Sequence, residues 1–359
     1  MNVPTGFIRS DWWQLLKEVD FGVDRKYWSR AIQVTIFSIM NSRYFKKEKQ
    51  LFEQEYSKVE IQPPIFILGH WRNGTTLLHE LMAEDDQFAY PNLFEISRPH
   101  NFLYREPVIE KLETNPELEK RPMDNMQVNF RSPGEDESAL AVLSLRSPTV
   151  SWMFPRHEDH FDRFLTFQNA LPTDLERWKH SLVLFMKKLT YRYQRPLLMK
   201  SPAHTARIKI LLDLFPEARF IHIHRNPMTV FQSTVKLYNT AVKGSHLQDP
   251  VPDSINPGII RRYKEMYDAF FDQRGLIPAS QFVEIAFDDL ENNKINSLRE
   301  IYNQLGLQNF NKAQGNIESY LKRTAGYKKN KFEPLAEPLN SEIARAWQRS
   351  FEEWGYRVN

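Results

Sequence analysis

Short apolar runs alternate with longer amphipathic segments along most of this chain. Residues 65–68 form a continuous apolar run between proline and glycine, the pattern of a strand buried on both faces. Similar runs lie at 197–199, 219–224 and 282–285, and helical spacing is clearest at 174–193. Because strands and helices alternate, the pattern predicts an α/β fold, with a parallel sheet flanked by helices on both faces.

Both ends of the chain are predicted to be helical extensions. Residues 10–58 have the helical pattern and end before the pair Pro63-Pro64, which stops a helix. A terminal helix is expected over 341–354. The predicted domains are therefore a helical N-terminal extension at 1–60 and an α/β domain at 61–359.

The composition excludes several classes of protein. The 359 residues include 48 Lys and Arg against 45 Asp and Glu, and a net charge of +3 gives no strong attraction to nucleic acid. The chain has no cysteine, which excludes disulfides, thiolate zinc sites, iron–sulfur clusters and cysteine nucleophiles. With 41% apolar residues it can bury a large core, so disorder is excluded.

The N-terminal segment carries charges such as Asp11 and Lys17, and it lacks the apolar core of a signal peptide. Its most apolar run, residues 31–40, is half as long as a bilayer span. We therefore expect a cytoplasmic protein without a transmembrane segment. Its aromatic residues also allow a peripheral membrane contact, although a packed helical hairpin explains them as well. These residues are Trp12, Trp13, Phe21, Tyr27, Trp28 and Phe37.

The loop after the first predicted strand is the most informative stretch of the chain. Gly69 and Gly74 bound it, and a helix is predicted to follow at 75–83, so backbone N–H groups and a helix dipole face one anion. The spacing equals that of a P-loop, but Thr75 replaces the lysine of a nucleotide hydrolase, and Arg72 supplies a cation earlier. ATP or GTP hydrolysis is therefore disfavoured. An incidental glycine turn is the other interpretation.

A second cation, Arg225, follows the predicted strand at 219–224. Pro227 suits the first turn of a following helix, and Ser233 lies about two turns further on. An arginine at a strand end and a helix serine can bind a second phosphate. This strand end carries no carboxylate to hold magnesium, so the motif predicts a site for anions without metal.

At these residues the chain resembles the PAPS-dependent sulfotransferase superfamily. The stretch from Gly69 is similar to its 5′-phosphosulfate loop, and the loop residues that would bind the donor are Arg72, Asn73, Gly74, Thr75 and Thr76. The stretch from Arg225 to Ser233 is similar to its 3′-phosphate motif and keeps its spacing of eight. Asn73 departs from the common serine. Arg72 in place of lysine makes the loop similar to the tyrosylprotein-, Golgi- and bacterial-type branches.

The resemblance implies in-line transfer of a sulfuryl group from PAPS to a hydroxyl or amine, with release of PAP. Arg72 and Lys200 would stabilise the charge on the leaving phosphate. Lys200 follows the run at 197–199 and matches a catalytic lysine position of many family members. Its other interpretation is a solvated charge at the end of a strand.

Three candidates for the general base follow from the sequence. Glu95 resembles the glutamate base of the tyrosylprotein branch in position, and His204 competes because cytosolic members carry a histidine base after the corresponding strand. The acidic turn at 135–137, with Glu135 and Asp136, is a third candidate or a solvated turn. A late loop could place Lys328 or Lys329 over the 3′-phosphate, although a flexible basic linker is equally consistent with it.

Two rival functions remain at this point: a P-loop nucleotide kinase-like enzyme and a non-catalytic nucleotide-binding sensor. The aromatic residues near the loop would suit a small-molecule or lipid-like alcohol as acceptor, but core packing explains them equally well. We expect no nucleic-acid partner, and the sequence does not indicate the oligomeric state. His157 and His160 have the spacing of metal ligands, but a polar loop explains them more simply.

Overall fold

The protein is described by a computed structural model that covers residues 4–112, 119–121, 123–124, 126–326, 330 and 332–358. The chain forms two compact units. The first comprises Met1–Gln62, Ala89–Leu197 and Thr240–Pro252, and the second comprises Pro63–Phe88, Leu198–Asn239 and Asp253–Asn359. The N-terminal helices thus share a unit with residues 89–197. The predicted division into 1–60 and 61–359 remains a prediction.

Helices outnumber strands in the described part of the chain. The helices are α1 (Arg9–Glu18), α2 (Trp28–Ser57), α3 (Thr75–Ala83), α4 (Leu93–Ser97), α5 (Phe102–Leu112), α6 (Asp136–Ser144), α7 (Glu158–Asp162), α8 (Pro172–Tyr193), α9 (Ile208–Leu214), α10 (Pro227–Thr240), α11 (Ile255–Gln273), α12 (Phe287–Asn292), α13 (Lys294–Gln304), α14 (Phe310–Arg323), α15 (Leu339–Ala346) and α16 (Gln348–Trp354). The strands are β1 (Ile65–Leu68), β2 (Glu119–Lys120), β3 (Gln127–Val128), β4 (Leu198–Lys200), β5 (Arg219–His224) and β6 (Phe282–Ala286).

The second unit contains a parallel sheet with the strand order β4-β1-β5-β6. The predicted α/β fold is thereby confirmed, and β1 and β5 have the predicted bounds. Strand β4 differs from its prediction because it ends at Lys200. It begins at Leu198 and Lys200 stands opposite Ile67 in the parallel ladder, so pairing with β1 moves the strand one residue along the chain without lengthening it.

One face of this sheet is lined by aromatic rings and imidazoles. Phe66 of β1 stacks on Phe220 of β5 at a centroid distance of 5.7 Å. Further along β5, the His222 ring lies 4.0 Å from Phe270 of α11 and 5.7 Å from Trp354 of α16. Helices α11 and α16 therefore cover this face. Helix α3 packs beside β1 and β4. It begins directly after the loop that follows β1.

The terminal helix predicted at 341–354 is in fact two helices, α15 and α16, which meet at Trp347. The Trp347 ring is buried and stacks on Tyr263 at 3.7 Å, and its indole N–H donates to the Ile260 carbonyl at 3.0 Å. Anchoring this one side chain on α11 redirects the backbone, and the continuous helical pattern of the sequence does not show it.

The first unit is predominantly helical, with α2 packed on α1, α5 and α8. A buried ion pair joins α2 to α8, because Lys188 Nζ lies 2.5 Å from Glu48 Oε1. The same ammonium donates to the Pro99 carbonyl, and the Tyr104 N–H donates to Glu48 Oε2 at 3.0 Å. Burial lowers the pKa of Lys188. In the described part of the chain, every helix is too short or too polar to cross a membrane.

Candidate anion-binding site

The loop between β1 and α3 is shaped by two glycines with positive φ. Gly69 has φ +141°, and a Cβ there would lie 2.5 Å from the Ile223 carbonyl oxygen. Gly74 has φ +98°, and a Cβ there would lie 2.2 Å from the ring of Phe287. Only glycine fits both the backbone conformation and the space at these positions. The loop is therefore packed closely against β5 and α12, and it leads directly into the N-terminus of α3.

Arg72 joins the two sequence motifs. Its φ of +75° is unusual for a residue with a side chain, and strain of this kind clusters at functional sites. Its Nε donates to Ser233 Oγ at 2.9 Å, and Arg225 Nη1 donates to the Arg72 carbonyl at 3.3 Å. The loop and the helix that follows β5 thus meet through direct hydrogen bonds. The residues predicted to bind two anionic groups lie together in the second unit.

Phe287, the first residue of α12, is a part of this site that the sequence did not reveal. The Arg225 guanidinium lies over its ring at 4.3 Å from the centroid, a cation–π contact. The same ring occupies the space that a side chain at position 74 would need. Phe287 therefore supports both the end of the glycine loop and the second cation.

Asn73 turns its side chain toward the protein interior. Its Nδ2 donates to the Ile223 carbonyl at 3.0 Å and to the Tyr267 hydroxyl at 2.6 Å. The Tyr267 hydroxyl also accepts from the His70 N–H, and Thr205 Oγ1 accepts from the Gly69 N–H at 2.8 Å. Burial lowers the pKa of His70 to about 3, so this imidazole is neutral. The amide that replaces the common serine therefore anchors the loop, and a direct contact of Asn73 with a donor remains a prediction.

Lys200 and His204 lie at the carboxyl end of β4. Lys200 is only 2% exposed, so the interpretation of this residue as a solvated charge is wrong. Burial, together with the charge of Lys200, holds the pKa of His79 well below the usual value. His204 lies in the short turn Pro202–Ala206, fully buried, with its ring edge-on to Phe66 at 5.4 Å.

Glu95 lies in the first unit, at the start of α4, within a buried polar network. Its Oε2 accepts the Asn92 N–H at 2.8 Å, while the Asn92 side chain accepts the Glu95 N–H, a reciprocal capping box. Its Oε1 accepts from the Tyr193 hydroxyl at 2.9 Å and from Arg192 at 3.1 Å. Burial raises the pKa of Glu95 to about 7 against the opposing effect of Arg192. Near neutral pH this carboxyl can therefore both hold and accept a proton.

Other residues singled out in the sequence have different places. Asp136 and Glu137 are buried in the first turn of α6, so the expectation of a solvated acidic turn is wrong, although a role for this turn as base remains a prediction. Lys328 and Lys329 lie outside the described residues. Within the described residues, no group of three or more potential ligands could hold a metal ion.

Comparison with known proteins identifies the family. The model of the sulfotransferase family matches residues 63–312. Omega-hydroxy-beta-dihydromenaquinone-9 sulfotransferase Stf3 of Mycobacterium bovis is 33% identical over 351 residues, which cover 97% of this chain and 89% of the relative. The protein of the same name from Mycobacterium tuberculosis matches to the same extent.

Solved structures agree with this assignment at the level of the fold. Sulfotransferase STF1 from Mycobacterium tuberculosis shares 18% identity with a TM-score of 0.62, over 96% of this chain and 98% of that one. Sulfotransferase STF9 from Mycobacterium avium shares 16% identity with a TM-score of 0.64, over 97% and 96%. The resemblance predicted from the two anion motifs is confirmed, and the kinase-like and sensor alternatives are set aside. The chain belongs to the sulfotransferase family and is an enzyme that transfers a sulfuryl group.

Proposed function

We propose that the sulfuryl donor is PAPS and that the acceptor is a hydroxyl of a lipid-like alcohol. The observation that carries the first part is the hydrogen bond from Arg72 Nε to Ser233 Oγ, together with that from Arg225 to the Arg72 carbonyl. These contacts unite a loop suited to one anionic group with a cation and a hydroxyl suited to another. PAPS has two such groups, a 5′-phosphosulfate and a 3′-phosphate.

The residues present fit this donor. Gly69 and Gly74 hold the loop in a positive-φ conformation, packed against Ile223 and Phe287, and the N-terminus of α3 follows directly. In the proposal, the N–H groups of Gly74, Thr75 and Thr76 bind the phosphosulfate, while Arg225 and Ser233 bind the 3′-phosphate. When bound, PAPS supplies the sulfuryl group. This group is transferred to the acceptor oxygen while the bond between its sulfur and the phosphate oxygen breaks, which leaves PAP.

The chain's own cations and carboxyl supply the rest of the proposed mechanism. Arg72 and Lys200 stabilise the negative charge that collects on the leaving phosphate, a role filled by fixed cations rather than by a metal. Glu95 accepts the proton of the acceptor hydroxyl. Its raised pKa, about 7, suits a base that works near neutral pH. His204 remains the alternative base, because it follows the strand that carries Lys200.

The proposal for the acceptor is based on the relative at 33% identity. The name of that protein gives a hydroxylated dihydromenaquinone as its substrate. That substrate is a long apolar molecule that carries a hydroxyl group. For this protein we propose the same class of acceptor and not the same compound.

Binding of the donor can be tested by thermal shift with PAP and with ATP plus magnesium. We expect PAP to raise the melting temperature, because a ligand that binds only the folded state stabilises it. Arg225→Ala and Ser233→Ala should reduce that shift, because each removes a group assigned to the 3′-phosphate. Arg219→Ala is the matched control, since Arg219 begins the same strand that Arg225 follows. A shift with ATP plus magnesium but none with PAP would refute PAPS as the donor.

Incubation with labelled PAPS and a lipid extract tests the proposed class of acceptor. Label that appears only on water-soluble compounds would refute a lipid-like acceptor.

A further inference from the structure

Helix α2 exposes a stripe of large apolar side chains. Its members recur at intervals that place them on one helical face, and each is 40–58% exposed: Trp28, Ile32, Ile36, Ile39 and Met40. The helix packs through a different face, on which Val34 and Asn41 are buried. The Trp28 indole N–H donates to the Val23 carbonyl at 3.2 Å, so its polar atom is satisfied while the ring remains at the surface.

Helix α1 enlarges this apolar surface. It is fixed to α2 by the hydrogen bond from the Trp12 indole to Thr35 Oγ1 at 2.9 Å. The next residue, Trp13, is 49% exposed, and its ring lies edge-on to that of Phe21, 52% exposed, at 5.7 Å. Trp13, Phe21 and the α2 stripe together form what we call the N-terminal apolar surface. Several large apolar side chains exposed on two helices that are joined in this way indicate an interaction site.

Basic residues of the first unit neutralise most of the acidic side chains in the segment from α1 to α2. Four of them form ion pairs with basic residues outside the segment: Asp11 with Arg177, Glu18 with Arg146, Asp24 with Arg156 and Glu48 with Lys188. Asp20 is the exposed acid beside Phe21. The negative charges of α1 and α2 are therefore mostly cancelled locally.

Exposed basic residues border the N-terminal apolar surface. Arg9 and Lys17 lie one turn before and one turn after Trp13, on the same face of α1. Arg25 precedes the α2 stripe, and Arg43 follows Ile39 by one turn. The surface therefore combines an apolar centre with a predominantly positive border.

We propose that the N-terminal apolar surface docks on an anionic lipid membrane. Tryptophan and isoleucine side chains enter the boundary between headgroups and acyl chains, while arginine and lysine meet the anionic headgroups. A second copy of the chain fits less well, because two positive borders would face each other. In the proposal, the helices lie along the membrane surface with their apolar face toward the acyl chains. The proposal does not depend on the identity of donor or acceptor.

Co-sedimentation of the full chain with lipid vesicles tests this docking. We expect the protein to bind vesicles of phosphatidylcholine mixed with phosphatidylglycerol more strongly than vesicles of phosphatidylcholine alone. Binding should fall as salt is raised, because salt screens the headgroup attraction. The double variant Ile32→Gln/Ile36→Gln should lower the partition coefficient about tenfold or more, since it removes two apolar contacts with the acyl boundary.

Two further variants keep the test decisive. Leu276→Gln changes a side chain that is 54% exposed outside this surface, and it should bind vesicles like the unaltered protein. Arg9→Gln/Arg43→Gln should remove most of the preference for anionic vesicles with the melting temperature unchanged. Absence of vesicle binding by the unaltered protein, or equal binding by the isoleucine variant, overturns the proposal. A dimer in light scattering that the isoleucine variant dissociates would assign the surface to a second copy and also overturn it.

Discussion

The carboxyl of Glu95 lies between opposing influences. Complete burial favours its protonated form, while Arg192 and the hydrogen bonds from Asn92 and Tyr193 favour the ionised form. The balance leaves a pKa of about 7, whereas both oxygens are already engaged with neighbouring groups. A capping carboxyl needs no such proton affinity, so the residue invites a test that separates a structural role from a catalytic one.

Replacement of Glu95 by glutamine tests the proposed base. The kcat/KM of the unaltered enzyme should rise with pH through about 7, as the carboxyl loses its proton and becomes able to accept another. Glu95→Gln should lower kcat about 10²- to 10⁴-fold and abolish that rise. The measurement is the pH dependence of sulfuryl transfer. Near-normal turnover of this variant, with loss of turnover in His204→Ala, would assign the base to His204 instead.

Glu106→Gln is the matched control for this experiment. Glu106 pairs with the same Arg192, and its charge raises the pKa of Glu95. The control should therefore keep most of the turnover and shift the rise in kcat/KM to lower pH.

The pH dependence of stability provides an independent readout for Glu95. Between pH 4.5 and about 7, Glu95 holds a proton in the folded state that it has released in the unfolded chain. The free energy of unfolding should therefore fall as the pH rises through this range. The Glu95→Gln variant should lack this pH-dependent contribution.

Among the single residues of the site, the sequence pattern identified the cations but not the residues that hold the loop in place. Arg72 and Arg225 belong to short motifs next to strand ends, and local spacing is enough to find them. Tyr267 and Thr205 hold the same loop from positions 194 and 136 residues away. Their hydrogen bonds depend on how the strands and α11 pack, which no local pattern encodes.

Among the structural elements, the loop that leads into α3 gives a steric prediction. Gly74→Ala should place a methyl group 2.2 Å from the Phe287 ring at a positive φ, so the loop or the ring must move. We expect a loss of about 2–4 kcal/mol of unfolding free energy from crowding and strain together. The PAP-induced rise in melting temperature should disappear. Urea unfolding and thermal shift measure the two effects.

Gly306→Ala separates strain from crowding. Gly306 has φ +61° in the same unit, with nothing within 4 Å of a Cβ. It should cost about 1 kcal/mol of stability, from backbone strain alone, and keep the response to PAP. Equal losses of PAP response in the two variants would mean that the Phe287 contact is not what excludes a side chain at position 74.

Prediction of elements succeeded where the signal is local. The strands β1 and β5 end at the predicted residues because proline, glycine or an Asn-Pro pair bounds each apolar run. The terminal helix was predicted without its break because its pattern is continuous through Trp347. That break comes from the packing of Trp347 on Tyr263 in α11, a contact between distant parts of the chain.

For the molecule as a whole, the buried pair of Glu48 and Lys188 explains why the N-terminal helices belong to a larger unit. Its two members are about 140 residues apart and are both almost completely buried. The pattern of the sequence marks a boundary near Pro63, but it contains no sign that Glu48 on α2 neutralises an ammonium on α8. Long-range charge pairing of this kind was beyond prediction from the sequence.

Unfolding experiments on this pair test its contribution. Glu48→Gln should cost about 3–5 kcal/mol, because it leaves the buried Lys188 ammonium without a counter-charge. The double variant Glu48→Gln/Lys188→Met should recover most of that loss, because no buried charge remains. Glu53→Gln, which breaks the exposed pair with Lys49 on the same helix, should cost less than about 1 kcal/mol. Additive losses in the double variant would contradict the coupling.

The contact between Gly74 and Phe287 also has an evolutionary consequence. A smaller residue at position 287 would make room for a side chain at 74, but it would remove the ring beneath Arg225. A larger residue at 74 would force the ring away with the same result. Neither position can drift while the other is fixed, so we expect glycine and an aromatic residue to be inherited together at these two sites, although 213 positions of the chain separate them.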